Sequence, residues 1–192
     1  MDAKQVWIEA LTAAGLPHDE PINHSLMWNG EFLRGFENGG LGWRWNSPWD
    51  VTIDFDSAPL AHDGRAVRLD FGGGRNLELS EPAQYVPVEP GRVYHFHAYM
   101  RTEEITTESG MRFSIADPNH SGIPALETEN LTGDHAWTLA ELDVPTGAQT
   151  HFLTVRLYRN KSRLFENKLS GTAWIADLTL VPTRADAGRS QQ

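Results

Sequence analysis

Residues 94–102 read "YHFHAYMRT", and the way they alternate decides what kind of protein this is. Side chains along an extended strand point to opposite faces in turn. Tyr94, Phe96, Ala98 and Met100 therefore share one face, and His95, His97, Tyr99 and Arg101 share the other. The first set belongs in a core and the second is too polar for one, so the stretch predicts a strand buried on one side only.

The same period recurs in both directions from it. "DVTIDF" (50–55), "RAVRLDF" (65–71), "GMRFSIAD" (110–117), "AWTLAELDV" (136–144), "THFLTVRLYR" (150–159) and "TAWIADLTLV" (172–181) alternate apolar with polar residues. Asp63-Gly64, Pro90-Gly91, Ser109-Gly110 and Gly133-Asp134 are turn signals between them. One segment differs: in "DAKQVWIEALTAAGLP" Val6, Ala10, Ala13 and Ala14 recur at helical spacing, and Gly15 followed by Pro17 supplies the stop. With no second amphipathic helix, the pattern predicts an all-β antiparallel sandwich or jelly roll carrying one short N-terminal helix at residues 3–15. The expected organisation is helix and linker over 1–25, sandwich over 26–183 and a frayed tail over 184–192.

Composition removes several functions. The chain of 192 residues is long enough for one core, and it contains no cysteine, so disulfides, thiolate metal sites and cysteine nucleophiles are excluded. A formal charge of -10 repels phosphate backbones, so nucleic acid is not an expected partner. No apolar run has the length of a membrane span, and residues 1–15 lack the basic start of a signal peptide, so no direct membrane insertion of this segment is expected.

Six segments, in this order, carry a family resemblance: "WNGEF" (28–32), "GFENGGLGWRW" (35–45), "AHDGRAVRLDF" (61–71), "QYVPVEPGRVYHFHAYMRT" (84–102), "LTGDHAWT" (131–138) and "GTAWIADLTL" (171–180). Together they resemble the jelly-roll carbohydrate-binding modules that accompany xylanases. More closely, the chain is similar to the related C-terminal domain of tetratricopeptide-containing, membrane-associated bacterial proteins. The resemblance spans Leu26 to Pro182. It implies a galactose-binding-like β-sandwich without catalytic residues, binding carbohydrate noncatalytically and without a cofactor. It also implies a periplasmic or cell-surface location within a larger exported cell-envelope chain, with residues 1–15 left over from an adjacent helical-repeat domain. A docking module that contacts a protein partner through the same face is the alternative.

Many members of that wider family hold a structural calcium through a glutamate in an opening "NGGFE" pattern and the first aspartate of a closing "W-x-D-D". Here the closing segment runs Trp174, Ile175, Ala176, Asp177, so a methyl group stands where the first acid would be. If "NGEFL" is the matching opening, Leu33 replaces the glutamate too; if "GFENG" matches, Glu37 is retained. Calcium takes about six to eight oxygens, and no metal is expected here.

The tryptophans sort by context. Trp7 belongs to the helix, and Trp137 and Trp174 lie among apolar residues, which predicts core packing. Arg44, Asn46 and Pro48 interleave Trp43, Trp45 and Trp49 in a turn-rich stretch. Trp43 is expected to close the core, and Trp45 with Trp49 to border a cleft where a sugar ring could lie on an indole. Arg112 falls on the polar side of "MRFSIA", and Arg156 and Tyr158 on that of "HFLTVRLYR". Were those strands neighbours of "YHFHAYMRT", as in the resembling modules, His97, Tyr99, Arg101, Arg112, Arg156 and Tyr158 would converge on one concave, arginine-bearing surface. Planar guanidinium forks bind hydroxyls and carboxylates in bidentate fashion.

Catalytic readings are weaker. His95, His97, Glu103 and His151 loosely resemble the metal ligands of cupins. His151, however, shares a side with Leu153, Val155 and Leu157, opposite in kind to the polar side that carries His95 and His97. A glycosidase would need two carboxylates about 5 to 10 Å apart across the bond. Asp54 with Asp56, or Asp70 with Glu78, supply acids in a pattern that solvated sheet faces share. There is no G-x-S-x-G elbow, and "FGGGRN" lacks the lysine of a phosphate loop, which leaves a bulged turn.

Overall fold

A computed structural model describes residues 3–15, 25–57, 64–120 and 122–183. The tail predicted over 184–192 lies outside these residues, as does Asp63 of one predicted turn. One helix, α1 (Ala3–Ala13), precedes nine strands: β1 (Val51–Ser57), β2 (Arg65–Gly72), β3 (Ala83–Pro87), β4 (Val93–Ile105), β5 (Arg112–Ala116), β6 (Leu126–Glu127), β7 (Gly133–Pro145), β8 (Phe152–Tyr158) and β9 (Ser170–Pro182). All strand pairs are antiparallel. They form a five-stranded sheet in the order β1-β2-β9-β4-β7 and a four-stranded sheet in the order β3-β8-β5-β6. The fold is an all-β antiparallel sandwich with one short N-terminal helix.

Alternation places the core. From β4 come Tyr94, Phe96, Ala98 and Met100, from β2 Val67, Leu69 and Phe71, and from β9 Ala173, Ile175, Leu178 and Leu180. They meet Phe113 and Ile115 of β5 and Leu153, Val155 and Leu157 of β8 across the sandwich, with Phe96 and Phe113 edge to face at 5.2 Å between ring centres. A second side chain per pleat would face solvent, and so the polar set of "YHFHAYMRT" lies outside, as predicted. Strands β3 and β6 have no counterpart in the periodicity. β3 is five residues long between Pro82 and Pro87, and β6 has two residues, too few to show a period.

The helix ends as its sequence predicts, with Gly15 in the left-handed region at φ 67° after the Ala14 N–H has bonded to Ala10. Leu11 is buried, and Trp7 packs edge to face on Trp28 at 6.4 Å. Gly40 is obligatory below it: its φ is 51°, and a Cβ there would overlap the Trp7 ring.

Trp137 and Trp174 depart from expectation. They lie half-buried on the outer face of the five-stranded sheet, packed on the small side chains of Ala66 and Ala176, instead of inside the sandwich. Strand parity turns Ala140, Leu142, Ala173 and Ile175 to the core and the indoles, with Leu139 and Ala176, to the other face. The Trp174 Nε1–H donates to Asp56 at 3.0 Å, which satisfies its polar atom at the surface.

Candidate carbohydrate-binding face

The topology divides the predicted surface in two. β4 belongs to the five-stranded sheet, whereas β5 and β8 are neighbours in the other. His97, Tyr99 and Arg101 therefore face away from Arg112, Arg156 and Tyr158, with the core between them, and the six do not converge. The polarity of each strand was legible, but which strands become neighbours depends on long-range pairing, which alternation within one strand does not encode.

Arg112, Arg156 and Tyr158 share the outer face of the four-stranded sheet with residues that the periodicity passed over. A β-bridge pairs Arg44 with Ala83 at the outer edge of β3. Ala83 opposes Arg156, Arg156 opposes Ser114, and Ser114 opposes Glu127. One row thus crosses the whole sheet from Arg44 to Glu127. On either side of it stand Tyr85, opposite Thr154, and Tyr158, opposite Arg112. Directly opposed side chains are about 5 Å apart, near enough to act on one ligand together.

Each tyrosine has an arginine over its ring. The Arg44 guanidinium is 4.6 Å from the Tyr85 ring centre, and that of Arg156 is 4.8 Å from the Tyr158 centre. These contacts hold the flexible arginines in place. Arg44 also donates to the carbonyls of Gly40 and Gly42, and Arg156 Nε to Ser114 Oγ at 3.4 Å. Arg112 pairs with Glu127 at 3.1 Å, while its Nε is buried without a hydrogen-bond partner. The Tyr158 hydroxyl donates to Asn160 Oδ1 at 2.7 Å. Tyr85 is exposed, so its ring is open to a ligand. Tyr85 was detectable in the sequence as the outward residue between Gln84 and Val86, had "AQYVP" been recognised as a strand.

The opposite face is of a different kind. Arg68 is ringed by Asp70, Asp56 and Asp54 at 3.0, 3.3 and 3.7 Å, and Arg101 lies over Trp174 while paired with Glu103. Three of the acids weighed for a glycosidase, Asp54, Asp56 and Asp70, are thus bound to one arginine, while Glu78 lies elsewhere. His95 sits between Asp143 and Glu141, and its hydrogen bond to the Asp143 carboxylate holds its pKa above the ordinary histidine value. His97 lies 3.9 Å from Asp177. His151 is exposed just before β8, in the other sheet, so the cupin-like set is not assembled.

Of the tryptophans expected at a cleft, Trp45 is buried in the core against Phe36, and it is not open to a sugar. Its amide is tied down by Asn38 Oδ1 at 2.7 Å. Trp49 is 66% exposed, on the loop before β1, with the Arg75 guanidinium 3.9 Å from its ring centre. Trp43 closes the core as predicted, at 1% exposure.

The residues do not fit a calcium. Ala176, where the resemblance implies an acid, is fully buried against Ala66. Among the described residues no three histidine, aspartate or glutamate side chains are grouped to hold an ion. Glu37 has both carboxylate oxygens buried with no hydrogen bond made. Burial pushes its carboxyl above the usual range, although its own amide, that of Trp43, the Arg34 charge and the Trp28 indole pull the other way. A raised carboxyl stabilises the fold fully below its ordinary value of 4.5, and the gain is lost as pH rises through the raised value. Glu37→Gln is therefore expected to gain on the wild type as pH rises: the difference in melting temperature, variant minus wild type, should be more positive at pH 8 than at pH 4. A difference independent of pH would contradict this burial argument.

Comparison with known structures agrees with the architecture. The fold is similar to that of the carbohydrate-binding module CBM4, with a TM-score of 0.58 at 11% identity over 82% of this chain and 99% of that one. It is also similar to a Bacteroides thetaiotaomicron protein described as sugar-binding, with a TM-score of 0.55 at 14% identity over 83% and 100%. A third is TmCBM61, solved with β-1,4-galactotriose, with a TM-score of 0.50 at 14% identity over 83% and 99%. At these identities the likeness is one of fold. No family model matches the sequence, and no curated protein matches it by sequence. No helix among the described residues is long and apolar enough to cross a membrane.

Proposed function

We propose that this domain binds a polysaccharide, without catalysis, on the outer face of the four-stranded sheet. The observation that carries the reading is the pair of arginine-capped tyrosines, Arg44 on Tyr85 and Arg156 on Tyr158, set on either side of a polar row. A sugar ring presents an apolar C–H face to a phenol, and its hydroxyls accept from guanidinium N–H groups held beside it. Tyr85 and Tyr158 are offset by four residues along β8, or about 13 Å at strand spacing, so a ligand touching both is a chain of sugars. The carbohydrate-binding modules of the same fold support the assignment, and they support a noncatalytic role.

His97, Tyr99 and Arg101 fall outside this site. In the same reading the domain serves a larger exported bacterial envelope chain, and α1 continues into a helical-repeat domain. The order of sequence segments shared with such proteins is what supports that context.

Glycan-array screening followed by affinity electrophoresis tests the site. Tyr85→Ala and Tyr158→Ala are each expected to weaken binding by about 1–2 kcal/mol, roughly five- to thirtyfold, as a central aromatic contact does. Tyr99→Ala, on the opposite sheet, should leave affinity unchanged. Absence of binding to every glycan, or an equal loss from Tyr99→Ala, would defeat the proposal.

A further inference from the structure

We infer that the polysaccharide bound on this face is acidic, a chain bearing uronate-type carboxylates; the inference rests on the site proposed above. It comes from how charge is distributed on a chain whose total is -10. On the five-stranded sheet the outward arginines are met by carboxylates, Arg68 by three and Arg101 by one. On the four-stranded sheet Arg112 has one such partner, Glu127, but the two arginines that cap the tyrosines have none. Among the described residues no carboxylate lies within ion-pairing distance of Arg44 or Arg156, whose partners are carbonyls, a serine hydroxyl and tyrosine rings. An acidic protein that neutralises the outward arginines of one face and leaves Arg44 and Arg156 of the other without counter-charge has a face that an anion completes.

The pattern continues past the end of the sheet. Beyond Arg112 and Asn160 a hollow of about 520 Å³ opens, with Lys161 and Arg163 on one side and Glu78 and Glu108 among its other walls. Glu108 is already engaged, accepting from Ser162 Oγ at 2.7 Å and from the Arg163 amide at 3.0 Å, bonds that hold its carboxyl below the usual range. Neither Lys161 nor the Arg163 guanidinium has a carboxylate within ion-pairing distance among the described residues. The Arg112 Nε–H, buried and without a partner between the face and the hollow, is a donor awaiting an acceptor. A hollow of this size is in the range that encloses a small ligand, about 300–1,000 Å³, so it can take a sugar unit of a chain lying along the sheet. Guanidinium forks prefer planar carboxylate to a lone hydroxyl because both N–H groups are then used at once.

The test compares one backbone with and without charge. The whole chain is run by affinity electrophoresis and calorimetry against sodium polygalacturonate, the same polymer fully methyl-esterified, and dextran sulfate, at low and high sodium chloride. Polygalacturonate should bind about tenfold or more tightly than its ester, and the advantage should shrink as salt screens it. The double variant Lys161→Gln, Arg163→Gln, on exposed side chains, should reduce that ratio while keeping the wild-type melting temperature. Equal or tighter binding of the ester would overturn the inference and leave the glycan-binding site standing. Preference for dextran sulfate over polygalacturonate would overturn the carboxylate assignment, and failure of all polymers together with a blank glycan array would overturn both.

Discussion

Replacing Trp43 by alanine is expected to cost about 3–5 kcal/mol of folding stability, the range for removing a large aromatic from a core. Its exposure is 1%, and its ring centre stands 5.2 Å from Phe32 and 6.5 Å from Phe36. The indole Nε1–H donates to the Asn29 carbonyl at 3.0 Å, a bond that truncation also removes, leaving that carbonyl with the Phe32 N–H alone. That one side chain joins both ends of the glycine-rich segment 29–45, whose own turns contribute little apolar surface. At this domain size the loss corresponds to a fall of roughly 10 °C in melting temperature. Trp49→Ala, two-thirds exposed, should shift it by far less. Equal effects of the two substitutions in thermal denaturation would refute this account of the aromatic cluster.

Arg159→Met is expected to cost about 2–4 kcal/mol, since hydrogen bonds from a charged donor contribute about 1.5–3 kcal/mol each and the guanidinium makes three to neutral acceptors. Arg159 directly follows β8 with no exposed surface, and burial pulls its pKa below the ordinary arginine value. The guanidinium is used on three sides: Nε donates to the Ser109 carbonyl at 2.7 Å, one terminal nitrogen to the Leu77 carbonyl, and the other to Thr107 Oγ1 at 2.9 Å. It thereby ties the chain entering β3 and the β4–β5 loop to the end of β8, with Leu79 bonded to its backbone in both directions. Methionine fills similar space but takes the donor from the Leu77 carbonyl and leaves the Ser109 carbonyl and Thr107 Oγ1 with only the long bonds between their own two residues, at 3.2 and 3.3 Å. Lysine should not rescue it, because one ammonium cannot reproduce a planar fork. Denaturant unfolding of Arg159→Met, Arg159→Lys and wild type checks this; a lysine variant as stable as wild type would show that charge alone is required. Since Asn160 follows directly and accepts from Tyr158, the loss should also loosen the end of the binding face that opens into the hollow.

Strand polarity was legible wherever a strand was long enough to repeat its pattern. His95, His97, Tyr99 and Arg101 are outward and their neighbours inward, and the period-two count alone requires it. The same count assigned Arg112, Arg156 and Tyr158 to outward positions. Trp137 and Trp174 have apolar neighbours in sequence but outward parity, and two alanines on an outer face support the indoles without a core. Trp45 departs in the other direction. Its interleaving with Arg44 and Asn46 suggested a surface loop, but Asn38 and Phe36 draw it inward.

What the sequence determined by itself is therefore the fold class and the side of each long strand that meets water, because both follow from alternation between neighbours a few residues apart. Which strands lie together was decided only in three dimensions. Antiparallel pairing joins residues as distant as Arg44, Tyr85, Arg112 and Arg156, and it sent β4 to one sheet and β5 with β8 to the other. The sequence supplied two sets of polar side chains that looked like one site; the closure of the core between the sheets separated them, with Arg68 and Arg101 among carboxylates on one face and Arg44 and Arg156 over tyrosine rings on the other.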